Sequence, residues 1–233
     1  MDDLEFPEKY YRLKEVKSRM LGECNLCNHI GYVDGKSCKC LKKFEKYVDY
    51  AYCGIDEEYW NIDFDDFQSD QVAKEEAKKY CDNLENARKH GLGFVFHGDN
   101  GTGKSTLSCI ILIQAKKQKH SIYFATFSEV LSIIKKSFAS SYWKEYYDKM
   151  ILNADFLCID ELGSEYRPKD LESFCVAELN SLSRYRRRHN LCTLITTNLD
   201  QNDFITTYGK TISSLFSGCS KFVAVKGGDW RIK

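Results

Sequence analysis

The sequence predicts an α/β chain in which helices cover both faces of a parallel sheet, preceded by a small cysteine-rich module. Three observations carry this reading. From residue 92 onward, short and nearly continuous apolar runs alternate with helical stretches, as in strands buried on both faces. The first of those runs leads into HGDNGTGKST (97–106), which fits G-x-x-x-x-G-K-[ST]. Upstream, residues 24–40 read CNLCNHIGYVDGKSCKC, two cysteine pairs separated by ten residues.

The length, 233 residues, suits one medium domain and a small extra one, divided here as 1–53 and 54–233. The formal net charge is zero, so no global field drives the chain onto nucleic acid, and any such contact must come from a local patch. The first five residues are acidic with no apolar h-region, so no signal peptide is expected. No apolar run approaches the length of a membrane span. A cytoplasmic, reducing location is therefore expected, and the eleven cysteines read as metal ligands or buried residues rather than disulfides. Cys109, Cys158, Cys175 and Cys192 lie in apolar stretches and read as small core residues.

In the first module, Ile30-Gly31-Tyr32-Val33 runs into Asp34-Gly35, a tight-turn signal for a hairpin. A hairpin brings the cysteine pairs together, so Cys24, Cys27, Cys38 and Cys40 are expected to hold a structural zinc tetrahedrally, with His29 or Cys53 as alternatives for one position. Such a knuckle buries little core and suits a docking surface. Residues 41–52 carry Leu41, Phe44, Val48 and Ala51 at helical spacing, with Gly54 as the stop. The acidic, aromatic stretch IDEEYWNIDFDDF (55–67) reads as a connector whose rings pack onto the next domain.

The second domain opens with a helix expected to be capped by Ser69 and to run to about His90, with Val72, Ala73, Ala77, Tyr80, Leu84 and Ala87 on one face and Gly91 at its end. Strand 92–97 follows, then the glycine-rich loop and a helix over 103–118. Strand 121–126, helical stretches 128–138 and 142–153, strand 155–160, helix 170–188 and strand 191–196 complete the alternation.

The loop's residue types match phosphate binding. Glycines let the backbone wrap an anion, successive N–H groups point inward, and a helix N-terminus adds its dipole. Gly98, Asn100, Gly101, Thr102, Gly103, Lys104, Ser105 and Thr106 are the candidate ATP contacts, with Lys104 on the β- and γ-phosphates and Ser105 on Mg²⁺. Strand 155–160 delivers Asp160 and then Glu161 at its carboxyl end. Asp160 suits the Mg²⁺ hydration shell, and Glu161 suits orienting and deprotonating the attacking water. Asn198, at the tip of the strand over 191–196, is a candidate hydrogen-bond partner of the γ-phosphate or the water.

Together these elements resemble an AAA+ ATPase, and more finely the DnaC/DnaI/IstB group of bacterial and phage ATPases. The resemblance rests on HGDNGTGKSTL, FLCIDELGSE, RYRRRHNLCTLITTNL and the ending GGDWR, with GIDEEYWNIDFDDF as an introducing segment, and it covers roughly 54–233. It implies a sheet with the Asn198 strand between the loop strand and the Asp160 strand. It also implies that Arg231 senses nucleotide in cis, with a plain surface arginine as the alternative. The cysteine-bearing module is similar to that of helicase loaders, where it docks on the replicative helicase, here a DnaB-type enzyme. The region between the second strand and the Asp-Glu strand faces single-stranded DNA in this group. That singles out Lys135, Lys136 and Phe138, with Tyr142 and Trp143 nearby, and Arg184 in the basic run 184–189. A solvated helix face and a capped helix dipole are the alternatives for these two places.

The resemblance breaks at one position. Relatives carry an arginine near the C-terminus that reaches a neighbour's γ-phosphate; residues 208–216 contain none, and Ser214 holds that place. The expectation is an ATPase that is slow alone, because loss of such a finger costs about 10³-fold or more in rate. The reading is a helicase loader, acting as a homo-oligomer or a helicase-templated ring, in which ATP switches the grip on helicase and single-stranded DNA. An IstB-like helper of a DNA transposase, recognising duplex DNA, is the second reading, and an inhibitor that occupies the helicase through its zinc module is the third.

Overall fold

The computed structural model describes residues 9–164 and 169–228, which fall into two compact units, Met1–Trp60 and Asn61–Lys233. In the first unit, helix α1 (Lys9–Gly22) packs against α2 (Lys39–Tyr52), and between them lies a hairpin of β1 (Tyr32–Val33) and β2 (Lys36–Ser37). Asp34 and Gly35 both take positive φ (48° and 72°), the geometry of a two-residue type I′ turn, as the Asp-Gly pair predicts. Helix α2 ends with Gly54 at φ 81°, where Gly54 N–H donates to Ala51 O and Ile55 N–H to Tyr50 O. Those two bonds satisfy carbonyls that the helix end would otherwise orphan. The buried face of α2 uses Leu41, Tyr47 and Tyr50. Trp60 lies 4.8 Å from the Tyr47 ring and donates its indole N–H to Ile55 O at 2.8 Å. The connector therefore divides: Trp60 completes the small core of the first unit, and only Phe64 and Phe67 are buried in the second.

The second unit is built on five parallel strands in the order β4 (Ile122–Thr126), β5 (Phe156–Leu162), β6 (Cys192–Thr197), β3 (Gly93–His97), β7 (Ser220–Ala224). The strand bearing Asn198 at its tip thus lies between the loop strand and the Asp160 strand. Strand parity assigns the faces. Val95, Tyr123, Leu157, Ile159 and Ile195 join α6 (Phe127–Ser137), α8 (Lys169–Arg188) and α9 (Gln201–Ser217) in one core. The alternate residues face α5 (Lys104–Lys117), whose apolar side chains are buried on every side between the sheet and α3 (Gln71–Cys81). A helix apolar all round fits that central place. Cys109, Cys158, Cys175 and Cys192 are all buried, and none of the described cysteines is in a disulfide. Among the described residues, no helix is long and apolar enough to cross a membrane.

Four features depart from the sequence expectation. The helix expected over 69–90 is two, α3 and α4 (Leu84–His90). Asn83 leaves helical geometry (φ −128°, ψ 33°) and turns its side-chain amide onto Lys79 O, a local bond that competes with the helix. The N-cap is Asp70, whose carboxylate accepts from Val72 and Ala73 N–H and also from Lys226 N–H, while Ser69 donates to Lys226 O. Val72, expected on the packed face, is 74% exposed. The stretch 142–153 is a short α7 (Ser141–Tyr146) that widens into a π-helix, Tyr147–Leu152. Helices α1 and α9 and the edge strand β7 carry no expectation from the sequence.

The basic run 184–188 is not one patch. Arg186 is fully buried, and its guanidinium donates to the carbonyls of Ile151, Leu152, Ala154 and Cys192 and to Thr193 Oγ1. It ties the end of the π-helix to the starts of β5 and β6. Burial lowers its pKa to about 9, so it stays charged at neutral pH. Arg187 donates to Leu215 O near the end of α9, and Arg184 is exposed, bonded to Asn180 Oδ1. Replacing Arg186 with Met strands five buried acceptors. It is expected to cost about 3 kcal/mol or more, a drop in Tm of roughly 6–12 °C by calorimetry, against less than about 0.5 kcal/mol for Arg184→Ala.

Candidate nucleotide site and cysteine cluster

The glycine-rich loop lies between the carboxyl end of β3 and the start of α5, at the edge of the sheet where β5 and β6 also end. Gly98 (φ 142°) passes so close to the segment after β7 that a Cβ there would meet Val225 O at 2.4 Å. Only glycine fits this approach. Thr102 donates to Asp99 O, and Lys104 Nζ donates to Gly98 O and Asp99 O at 2.8 and 2.6 Å, so its ammonium is held across the loop.

Asp160 is the buried centre of this region. Its Oδ1 accepts from Ser105 Oγ at 2.8 Å and from Thr196 Oγ1 at 2.5 Å. Burial pushes its carboxyl above the ordinary range, against the pull of the Thr196 and Ser105 hydroxyls. An anionic oxygen beside the first hydroxyl of a phosphate-loop helix is the donor set that a hydrated Mg²⁺ requires, so Ser105 and Asp160 fit the ion. Glu161 is exposed and takes a left-handed backbone (φ 55°), uncommon for a non-glycine residue. Asn198 reaches across to the loop, its amide donating to Asn100 Oδ1 at 2.8 Å. Gly98 through Thr106, Asp160, Glu161 and Asn198 are thus gathered around one end of the sheet. Arg231 lies outside the described residues.

Two residues here were not singled out in the sequence. Thr196 and Thr197, buried near the end of β6, bond respectively to Asp160 and Leu162 of β5. The only signal was the polarity of ITTN at the end of an apolar strand.

The four cysteines of the first unit converge. Cys24 and Cys38 sulfurs lie 3.8 Å apart, Cys27 and Cys40 3.6 Å apart, and all four within 4.8 Å of one another. A tetrahedral zinc with bonds of about 2.3 Å separates its sulfurs by roughly 3.8 Å, so the cluster fits the ion. The Leu26 backbone N–H draws Cys24 down to about 7, while burial and the neighbouring thiols push Cys40 up to about 12. Crowded thiols resist ionising together without a cation between them. His29 instead pairs with Leu21 O at 2.9 Å, and Cys53 is buried outside the cluster. Around it, Leu26, Ile30, Tyr32 and Val33 are exposed.

Of the candidate nucleic-acid residues, Lys135 Nζ lies over the Phe174 ring (5.9 Å) and Lys136 Nζ over the Trp143 ring (4.5 Å). Phe138 (73%) and Tyr142 (47%) are exposed beside them.

No family model matches the sequence, and no curated protein matches it. The fold has clear counterparts among solved structures. The DnaC helicase loader superposes with a TM-score of 0.63 at 22% identity, over 73% of this chain and 100% of that one. DnaI superposes with a TM-score of 0.61 at 18% identity, over 75% and 93%. The replication initiator DnaA bound to AMPPCP and single-stranded DNA gives 0.58 at 15% identity, over 73% of this chain and 50% of that one. The chain has an AAA+ fold of the DnaC/DnaI type.

If the cysteines hold zinc, the chain purified without chelator should carry about one equivalent by metal analysis. Cys24→Ser/Cys27→Ser should lose it, and trypsin should then cleave within 9–60 while leaving the second unit intact.

Proposed function

We propose, from this AAA+ fold, that the protein is an ATP-dependent helicase loader that binds a replicative helicase of the DnaB type and single-stranded DNA. The observation that carries the reading is one combination in a single chain. A chain that matches the full length of the DnaC helicase loader structure also carries a metal-ready module with exposed apolar residues. The module is the docking element, with zinc fixing its shape and Leu26 and Ile30 offering apolar contact.

In the second unit, bound MgATP supplies a hydrolysable phosphoanhydride. Lys104 exchanges the Gly98 and Asp99 carbonyls for the β- and γ-phosphate oxygens. Ser105 and Asp160 would hold the hydrated Mg²⁺, Glu161 would orient and deprotonate the water, and Asn198 would donate to the γ-phosphate or that water. Arg231 would sense the nucleotide in cis. Lys135, Lys136, Phe138 and Arg184 contact single-stranded DNA, lysines and arginine on phosphates and Phe138 stacking on a base. A chain of zero net charge binds it modestly and with strong salt dependence. With the exposed Ser214 where an arginine would reach a neighbour, hydrolysis is slow until a partner supplies that charge.

Mixing the chain with the replicative helicase of its source, with and without ATP, and measuring mass by light scattering tests the reading. A stable complex is expected, lost with Leu26→Ser/Ile30→Ser and with Cys24→Ser/Cys27→Ser. No complex in any nucleotide state, together with tight duplex DNA binding, would instead indicate a transposase helper. Lys104→Ala should weaken binding of a fluorescent ATP analogue about 10- to 100-fold. A brisk turnover by the isolated wild-type protein would overturn the need for a partner's arginine.

A further inference from the structure

The Asp160–Glu161 pair sits on an irregularity in the sheet. Strand β5 pairs with β6 in register from Phe156↔Cys192 to Ile159↔Ile195, and the next pair is Leu162↔Thr197. Three steps on β5 match two on β6, so Asp160 and Glu161 together oppose a single residue, Thr196. This is a β-bulge, which breaks the ladder locally and re-aims a side chain. Parity records the effect. Leu157 and Ile159 belong to the core on the α8 face, and simple alternation would turn Leu162 away from them. Leu162 nevertheless joins that core. The extra residue is Glu161, in its left-handed backbone at the exposed edge.

We propose that Thr196 is the positioning residue of the acidic pair, its one hydroxyl fixing both the Asp160 carboxylate and the Glu161 backbone. The Thr196 hydroxyl donates to Asp160 Oδ1 at 2.5 Å and accepts from Glu161 N–H at 3.0 Å. Thr196 is 1% exposed, and its β-branched side chain is stiff at χ1. Thr197 holds the far side of the bulge by donating to Leu162 O at 2.6 Å and accepting from Leu199 N–H at 3.1 Å. A left-handed, non-glycine residue persists only where its surroundings over-determine it. The Thr196 hydroxyl supplies the bond that the missing ladder partner does not. Through it, the residue expected to carry Mg²⁺ water and the residue expected to activate the attacking water share one reference point, so their spacing is set by the sheet.

The inference rests on the ATPase reading. Thr196→Val keeps the shape and removes the hydroxyl; Thr196→Ser keeps the hydroxyl. The two variants and wild type are compared for ATP turnover in the presence of helicase and single-stranded DNA. Affinity for a fluorescent ATP analogue with Mg²⁺ and the thermal unfolding midpoint are measured alongside. For Thr196→Val, kcat should fall by about 10-fold or more, since positioned general-base catalysis contributes about 10²–10⁴-fold, with KM and analogue affinity within about 2-fold of wild type. Thr196→Ser should recover kcat to within about 3-fold. A Thr196→Val enzyme with unchanged kcat overturns the inference. So does a fall in kcat matched by an equal loss of analogue affinity and stability, or a serine variant as slow as the valine one. A wild-type protein that binds the analogue but turns over no ATP under these conditions overturns the ATPase reading itself, and this inference with it.

Discussion

The second unit is organised around a carboxylate that burial disfavours. Asp160 is 6% exposed, and an unpaired charge there would not persist. Two hydroxyls on one of its oxygens, from Ser105 and Thr196, offset part of that cost. For both to reach it, α5 must begin where β3 ends, β6 must lie beside β5, and β3 beside β6. The strand order β4-β5-β6-β3-β7 meets these conditions at once. Asp160 therefore links the three segments expected to meet a nucleotide.

The two units solve the problem of size differently. The larger has a sheet covered on both faces and an extended apolar core. The smaller has a short hairpin, two helices and a core of a few residues, including Leu41, Tyr47, Tyr50 and Trp60. A unit that size usually requires a further constraint. Four sulfurs within 4.8 Å of one another would provide it on binding one ion, and residues such as Leu26 and Ile30 face outward around them.

What was legible in the sequence was whatever periodicity, turn chemistry or a motif carries. Asp34-Gly35 gave the hairpin, the apolar runs gave β3 to β6, and G-x-x-x-x-G-K-S with Asp160-Glu161 gave one end of the sheet. Competition between neighbouring polar groups was not legible. Ser69 and Asp70 are both good caps; Asp70 takes the role while the Ser69 hydroxyl is engaged by Lys226 O, 157 residues away. Arg186 reads as one of four arginines in five residues, and only the fold reveals that it points inward. Strand β7 was hidden because its five residues, two polar followed by three apolar, show neither alternation nor a long apolar run. The bulge at Glu161 was hidden because a bulge is a property of two strands and not of one.

The close approach of Gly98 to Val225 has a mechanical meaning. Val225 N–H donates to His97 O at 2.7 Å, and the next residues are clasped by Ser69 and Asp70 at the start of α3. The entry to the glycine-rich loop is thus a fixed abutment, joined through the backbone to a helix on the flank of the domain. Any breathing of the loop around a phosphate must come from its other side, from Asp99 to Gly103, as a flap turning on an anchored post. A force applied to the chain beyond Lys226 would arrive at that post before it reached any other part of the site.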